Sequence, residues 1–307
     1  MISTNGLIKK YGRTLALQGL DLEVPLGAVY GFIGQNGAGK TTTLRILAGL
    51  LRPDAGEAAV AGRDVLRDPR GIREVVGYMP DFFGVYDDLR VGEYLLFYAA
   101  AYGIRGVTAQ KLRDDLLELV ELGHKRDVFV DTLSRGMQQR LCLARSLIHD
   151  PQVLLLDEPA SGLDPVARVE MREILRELCR LGKTIIISSH ILTELADLCT
   201  YVGMISEGRL LRQGPLNDLL AGDRLRRFIL RSNGPADAAA EIIKGWPGAA
   251  IINNLPEQVE FQLSGAADDV ALLLKEIIGA GLPVVHYAQT EQSLEDTFIQ
   301  LAREVNG

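Results

Sequence analysis

The stretch Gly34-Gln35-Asn36-Gly37-Ala38-Gly39-Lys40-Thr41-Thr42 constrains this chain more than any other. It follows the apolar run 29–33 and opens an amphipathic run over 43–48. A strand, a Gly-rich turn and a helix, with the spacing G-x-x-x-x-G-K-T, is the context of a nucleotide phosphate site. The glycines let the backbone curl until successive N–H groups point inward as an anion nest. The helix start adds the positive end of its dipole. Lys40 is then placed to reach the β- and γ-phosphates, and the Thr41 hydroxyl to ligate Mg2+. A Gly-rich turn before an ordinary helix is the plain alternative, and it leaves the complete spacing unexplained.

At 307 residues the chain can hold one large domain and a smaller one. A formal net charge of −7 argues against a general nucleic-acid surface, so no nucleic-acid partner is expected. Cys142, Cys179 and Cys199 cannot all pair, sit in apolar helical patterns and lack metal-ligand spacing. They read as buried reduced thiols in a cytosolic setting. The longest strongly apolar stretch, 94–104, is too short to span a bilayer. If the chain serves a membrane, another polypeptide supplies the spans.

Along the chain, short strands are expected over 15–17, 20–24 and 29–33, then 57–61 and 75–79. From about 91 to 149 the pattern turns helical, with Thr108 expected to cap one helix and Gly123 to end it. The apolar runs 153–156 and 184–187 suit parallel strands covered on both faces. Between them Met171, Ile174, Leu175, Leu178 and Leu181 mark a helical stripe. A hairpin over 201–206 and 209–213 follows. Past Gly214-Pro215 the order βαββαβ, ending in a helix over 293–304, suggests a small ferredoxin-like domain.

Two further motifs carry chemistry. A buried strand ending in Asp157-Glu158-Pro159 would set the first carboxylate in the Mg2+ shell and aim the second at an attacking water. Two acids opening the next helix would be the bland alternative. Ser134 begins the run Ser134-Arg135-Gly136-Met137, a second helix N-terminus suited to a phosphate. A Ser-capped helix competes with that reading in isolation. Its place at the far edge of the helical segment, upstream of Asp157, favours the phosphate.

Together these residues resemble the nucleotide-binding domain of ABC transporters, over roughly 3–214. The resemblance implies an α/β fold: a P-loop NTPase core with an antiparallel β-subdomain and a helical insert at about 84–149, occupying 1–214. An accessory α+β domain takes 215–307. It implies an ATPase with ATP and Mg2+ as cofactors. Phosphate contacts fall to Gly34, Asn36, Gly37, Ala38, Gly39, Lys40, Thr41 and Thr42, and Tyr11 stacks on adenine. A tyrosine packed in the core is the other reading of Tyr11. Glu158 acts as general base with Lys40 and His190 beside it, and Thr41, Asp157 and Asp81 surround the metal. Ser161-Gly162-Leu163-Asp164 matches the family's D-loop.

The sequence departs from the family pattern at two sites: Asp81 stands where Gln is usual, and the signature reads LSRGM in place of LSGGQ. In the family fold Ser134 and Gly136 serve the ATP of another copy, so two protomers pair head to tail around two ATPs. The tail Ser293-Leu294-Glu295-Asp296-Thr297-Phe298 resembles exporter ATPase subunits. The expectation is therefore an exporter subunit, peripheral at the inner face of the cell membrane through a separate permease. Residues 82–89 would line the permease groove. A soluble ATPase remodelling a protein or ribonucleoprotein complex is the alternative, disfavoured by the single phosphate loop and the lack of sustained heptads.

Overall fold

The computed structural model describes residues 1–81, 84, 88–190, 198–221, 225–234, 236–264 and 267–290. The chain divides into two compact units, the first ending at Leu216 and the second beginning at Asn217.

The first unit opens with β1 (Ile2–Tyr11) and β2 (Thr14–Val24), an antiparallel pair. Then come β3 (Val29–Ile33), α1 (Lys40–Leu47), β4 (Ala55–Val60), β5 (Arg63–Asp64), α2 (Pro69–Val75) and β6 (Val76–Met79). The helical segment supplies α3 (Val91–Ala101), α4 (Gly106–Leu119) and α5 (Arg135–Ser146). β7 (Val153–Asp157), α6 (Pro165–Arg180), β8 (Thr184–Ser189), β9 (Tyr201–Ser206) and β10 (Arg209–Pro215) complete it.

Strands β2-β1-β4-β5 form one antiparallel sheet, and β10-β9-β3-β8-β7-β6 form the second. In the second, β9, β3, β8, β7 and β6 run parallel, and β10 is an antiparallel edge. All residues of β3, β7 and β8 are buried, as unbroken apolar runs require. Helix α1 touches β2, β4 and β7 and so joins both sheets. Leu44, Ile46 and Leu47 from it share one core with Leu20, Leu22, Phe32, Leu155 and Ile186. Burying each such side chain contributes roughly 1.5–3 kcal/mol. Helix α6 covers the sheet through Met171, Ile174, Leu175 and Leu178. Pro165 is its first residue, and Asp164 caps it, accepting from the Ala167 N–H at 2.9 Å.

Several local expectations are corrected. Strand β1 was not expected, because bulges after Thr4, Leu7 and Lys9 blur its alternation. The two strands expected over 15–24 are one. Helix α4 begins at Gly106, so Thr108 sits inside its first turn and caps nothing. The same helix ends at Leu119, with Glu121 in the left-handed region (φ 56°), and Gly123 opens a 3-10 turn. Leu181 lies past α6 and is 62% exposed. Cys142 and Cys199 are buried and Cys179 half-buried, all free, but Cys199 lies outside any helix. Burial pushes the Cys142 and Cys179 thiols up to about 11, the state of inert structural cysteines.

A short helix, α7 (Leu216–Ala221), precedes the second fold. That fold contains β11 (Leu225–Ser232), α8 (Asp237–Gly245), β12 (Ala249–Leu255), β13 (Gln258–Ser264), α9 (Ala267–Gly279) and β14 (Val284–Thr290). Its sheet order, β12-β13-β11-β14 and antiparallel throughout, is the ferredoxin-like topology. Alternate residues Phe228 and Leu230 of β11 and Val259, Phe261 and Leu263 of β13 point inward. They meet Ala239, Ala240 and Ile243 of α8 and Leu273 and Ile277 of α9. Phe228 stacks on Phe261 and Tyr287, both at 5.5 Å between centroids. The expected helix over 293–304, the tail motif within it, and most of the groove residues 82–89 lie outside the described residues.

Candidate nucleotide site

The site begins where β3 turns into α1. The close approach of other backbone requires glycine at two loop positions. A Cβ at Gly34 would lie 2.4 Å from the Ile205 carbonyl oxygen, and one at Gly39 would lie 2.7 Å from that of Ala16. Gly39 also takes φ 109°, which L side chains rarely adopt. It caps α1 without any side-chain hydrogen bond. The N–H groups of Gly39, Lys40, Thr41 and Thr42 therefore open outward without intrahelical acceptors, a ready anion site. Thr43 closes the turn from below, its N–H and its hydroxyl both donating to the Gly39 carbonyl at 2.9 Å.

An open cavity of about 310 Å³ lies against this loop. Tyr11, Asn36, Gly37, Gly39, Lys40, Thr41, Thr42, Asp81 and Glu158 line it, together with Ala16 and Gln35. Gly34 and buried Ala38 complete the loop. Tyr11, at the end of β1, is 48% exposed, so it is not a core tyrosine. The Lys9 ammonium lies 5.8 Å from its ring centroid.

Lys40 is only 6% exposed, and its ammonium donates to the Gly34 carbonyl at 2.6 Å and the Gln35 carbonyl at 3.3 Å. It also pairs with Glu158 Oε1 at 3.2 Å. The other carboxylate oxygen of Glu158 accepts from His190 Nδ1 at 2.8 Å. With Glu158 ionised, that contact puts the proton on Nδ1.

Glu158 follows β7 in left-handed backbone, φ 51°. Its N–H donates to the Ser188 carbonyl at 3.2 Å and the Ser188 hydroxyl at 3.0 Å, holding the strained turn. Asp157 ends β7 directly opposite Ser188 in the parallel ladder, 1% exposed, and Oδ1 accepts from the Ser188 hydroxyl at 2.7 Å. Asp157 thus stands behind the cavity wall rather than on it. Asp81 lies just past β6. Burial, then the charges of Asp157 and Glu158, raise its carboxyl above the usual range, while Arg135 and His190 counter them.

Ser134 and Gly136 are not part of this cavity. Ser134 caps α5, its hydroxyl accepting from the Met137 N–H at a long 3.4 Å. Gly136 lies in the first turn, where an added Cβ would meet the Ala167 Cβ at 3.0 Å. Sequence reasoning missed Ser188, whose hydroxyl ties both carboxylate residues together. The only trace was a Ser-Ser pair ending an apolar run.

The residues fit a magnesium nucleotide: a cradle of N–H groups closed to side chains, a buried ammonium, and hydroxyl and carboxylate oxygens that suit Mg2+. A family model described as "ABC transporter" matches residues 17–161. The Nod factor export ATP-binding protein I of Burkholderia orbicola (strain AU 1054) is 42% identical, over 95% of this chain and 94% of that protein. The bacitracin transport ATP-binding protein BcrA of Bacillus licheniformis is 36% identical, over 98% and 97%. A solved structure of an ATP-binding subunit of an ABC transporter aligns with TM-score 0.65 and 28% identity, over 72% of this chain and 92% of that one. This chain therefore belongs to the ABC transporter family, as one of its ATP-binding, ATP-hydrolysing cassettes.

Proposed function

We propose that the chain drives an exporter whose membrane spans lie on a separate permease, two copies closing head to tail around two magnesium ATPs. One observation carries the catalytic part: Glu158, on the cavity wall with Lys40, contacts Lys40 at 3.2 Å and His190 at 2.8 Å. In this reading Lys40 and the N–H groups of residues 39–42 hold the phosphates, and Tyr11 stacks on the adenine. Glu158 takes the proton of the attacking water, and His190 orients that carboxylate. Thr41, Asp157 and Asp81 are the groups that would hold Mg2+. When bound, the ion offsets phosphate charge.

Ser134 and Gly136 stand apart from the cavity of their own chain, which supports a role toward the ATP of a second copy. Export is supported by the relatives named for Nod factor export and bacitracin transport, whose similarity extends through the second unit. A second cavity, about 210 Å³, is lined by Tyr78, Tyr98, Tyr102, Arg145 and His149. It sits between α3, β6 and the end of α5 and supports a seat for a permease helix. Among the described residues no helix is long and apolar enough to cross a membrane. Attachment at the inner face of the membrane then depends on the permease.

Glu158→Gln is the direct test. ATP binding should persist while turnover falls on the order of 10²–10⁴-fold, and a dimer should accumulate in saturating ATP, read by light scattering. A protein that stays monomeric under those conditions, with or without its permease, would overturn the reading. Co-purification with an integral membrane chain from detergent extracts tests the partner.

A further inference from the structure

The loop Ser161-Gly162-Leu163-Asp164, three residues beyond Glu158, is held by side chains at successive positions. Gln139 of α5 donates from Nε2 to the Ser161 carbonyl at 3.3 Å. Arg168 of α6 donates from Nε to the Leu163 carbonyl at 3.0 Å. Between them lies Arg135, the first residue of α5. A Cβ on Gly162 would be 2.6 Å from its Cζ, 2.7 Å from Nη1 and 2.9 Å from Nη2. The guanidinium thus fills the space that a side chain at Gly162 would need. Gly162 has φ 67° and no side chain to push it off. Arg135 also follows Ser134 directly, and its charge reaches Asp81. One planar cation therefore connects the start of α5, the loop 161–164 and the acidic side of the nucleotide cavity.

We propose that Arg135 is a positioning residue for hydrolysis: resting on Gly162, it fixes the loop that follows Glu158 and so sets where that carboxylate points. The inference rests on the nucleotide site proposed above. It adds a consequence of chain connectivity. Any displacement of the α5 start at Ser134 carries Arg135 with it and is felt at Glu158 of the same chain.

A mutant cycle on Arg135→Ala and Gly162→Ala tests this. Arg135→Ala should lower kcat about tenfold, because small misplacements of a catalytic group are costly. KM for ATP should stay within about twofold, since no nucleotide contact is removed. Arg135→Lys should recover part of the loss. Gly162→Ala should lower kcat in the native background, its new methyl group displacing the guanidinium. Once Arg135 is Ala it should cost only what the strain of an alanine at φ 67° costs, clearly less than in the native background, a departure from additivity. Thermal melts separate this from loss of fold, which would lower kcat and stability together and count against the proposal. An unaltered kcat in Arg135→Ala, or additive effects of the two substitutions, overturns it. Failure of Glu158→Gln to dimerise would instead strike the paired reading of the site, since the cycle is read from turnover alone.

Discussion

Two helix starts in this chain, one at the nucleotide cavity and one apart from it, are built differently. Helix α1 opens on Gly39 with no side-chain cap, its N–H groups left for an anion and a buried lysine beside them. Helix α5 opens on Ser134, whose hydroxyl already accepts from the Met137 N–H, though at 3.4 Å. The first is a fixed receptor: backbone oxygens of Ala16 and Ile205 exclude every side chain but hydrogen at Gly39 and Gly34. The second is complete by itself and lies on an exposed turn. A long hydrogen bond of that kind is readily exchanged for a better acceptor. On the function proposed above, the difference separates holding a nucleotide from sensing one that another molecule holds.

The comparison can be broken in order of size. Lys40→Ala removes the buried ammonium, and a charge-assisted contact of about 3 kcal/mol corresponds to roughly 100-fold in affinity. Titration with a fluorescent ATP analogue reads it. Ser134→Ala should leave nucleotide affinity of the isolated chain unchanged and lower turnover about tenfold, while the lost cap costs about 1 kcal/mol of stability. If Ser134→Ala weakened affinity as Lys40→Ala does, the two starts would not differ in kind.

The smallest effect concerns the end of α5. His149 lies against Tyr102, with ring centroids 4.3 Å apart and planes 6° from parallel, and its Nε2–H donates to the Val76 carbonyl at 3.0 Å. Burial, the largest influence, holds its pKa below the usual 6.5. The fold therefore favours the neutral ring, and this contribution is present above 6.5 and lost as pH falls through the lowered value. His149→Phe should flatten the decline of melting temperature below pH 6.5. An identical pH profile in the variant would remove His149 from that role.

What could be read from sequence follows from how local each signal is. The phosphate loop and the β7 carboxylates are written in consecutive residues, so their places in the fold were legible. The ferredoxin-like order of the second unit was legible because Phe228, Leu230, Val259, Phe261 and Leu263 keep strict alternation. Strand β1 was not, since its bulges interrupt the period on which such reading depends. Ser188 and Arg135 were opaque for another reason. Each acts on a residue roughly thirty positions away (Asp157 and Gly162), and only the parallel ladder and the packing of α5 bring them together.

The left-handed turn at Glu158 has a thermodynamic corollary. Ordinary residues in that conformation forgo roughly 1–2 kcal/mol that glycine would not, and Ser188 supplies the hydrogen bonds that keep it in place. At this position two demands therefore oppose each other: the backbone alone would favour glycine, while the contacts of the carboxylate with Lys40 and His190 favour glutamate.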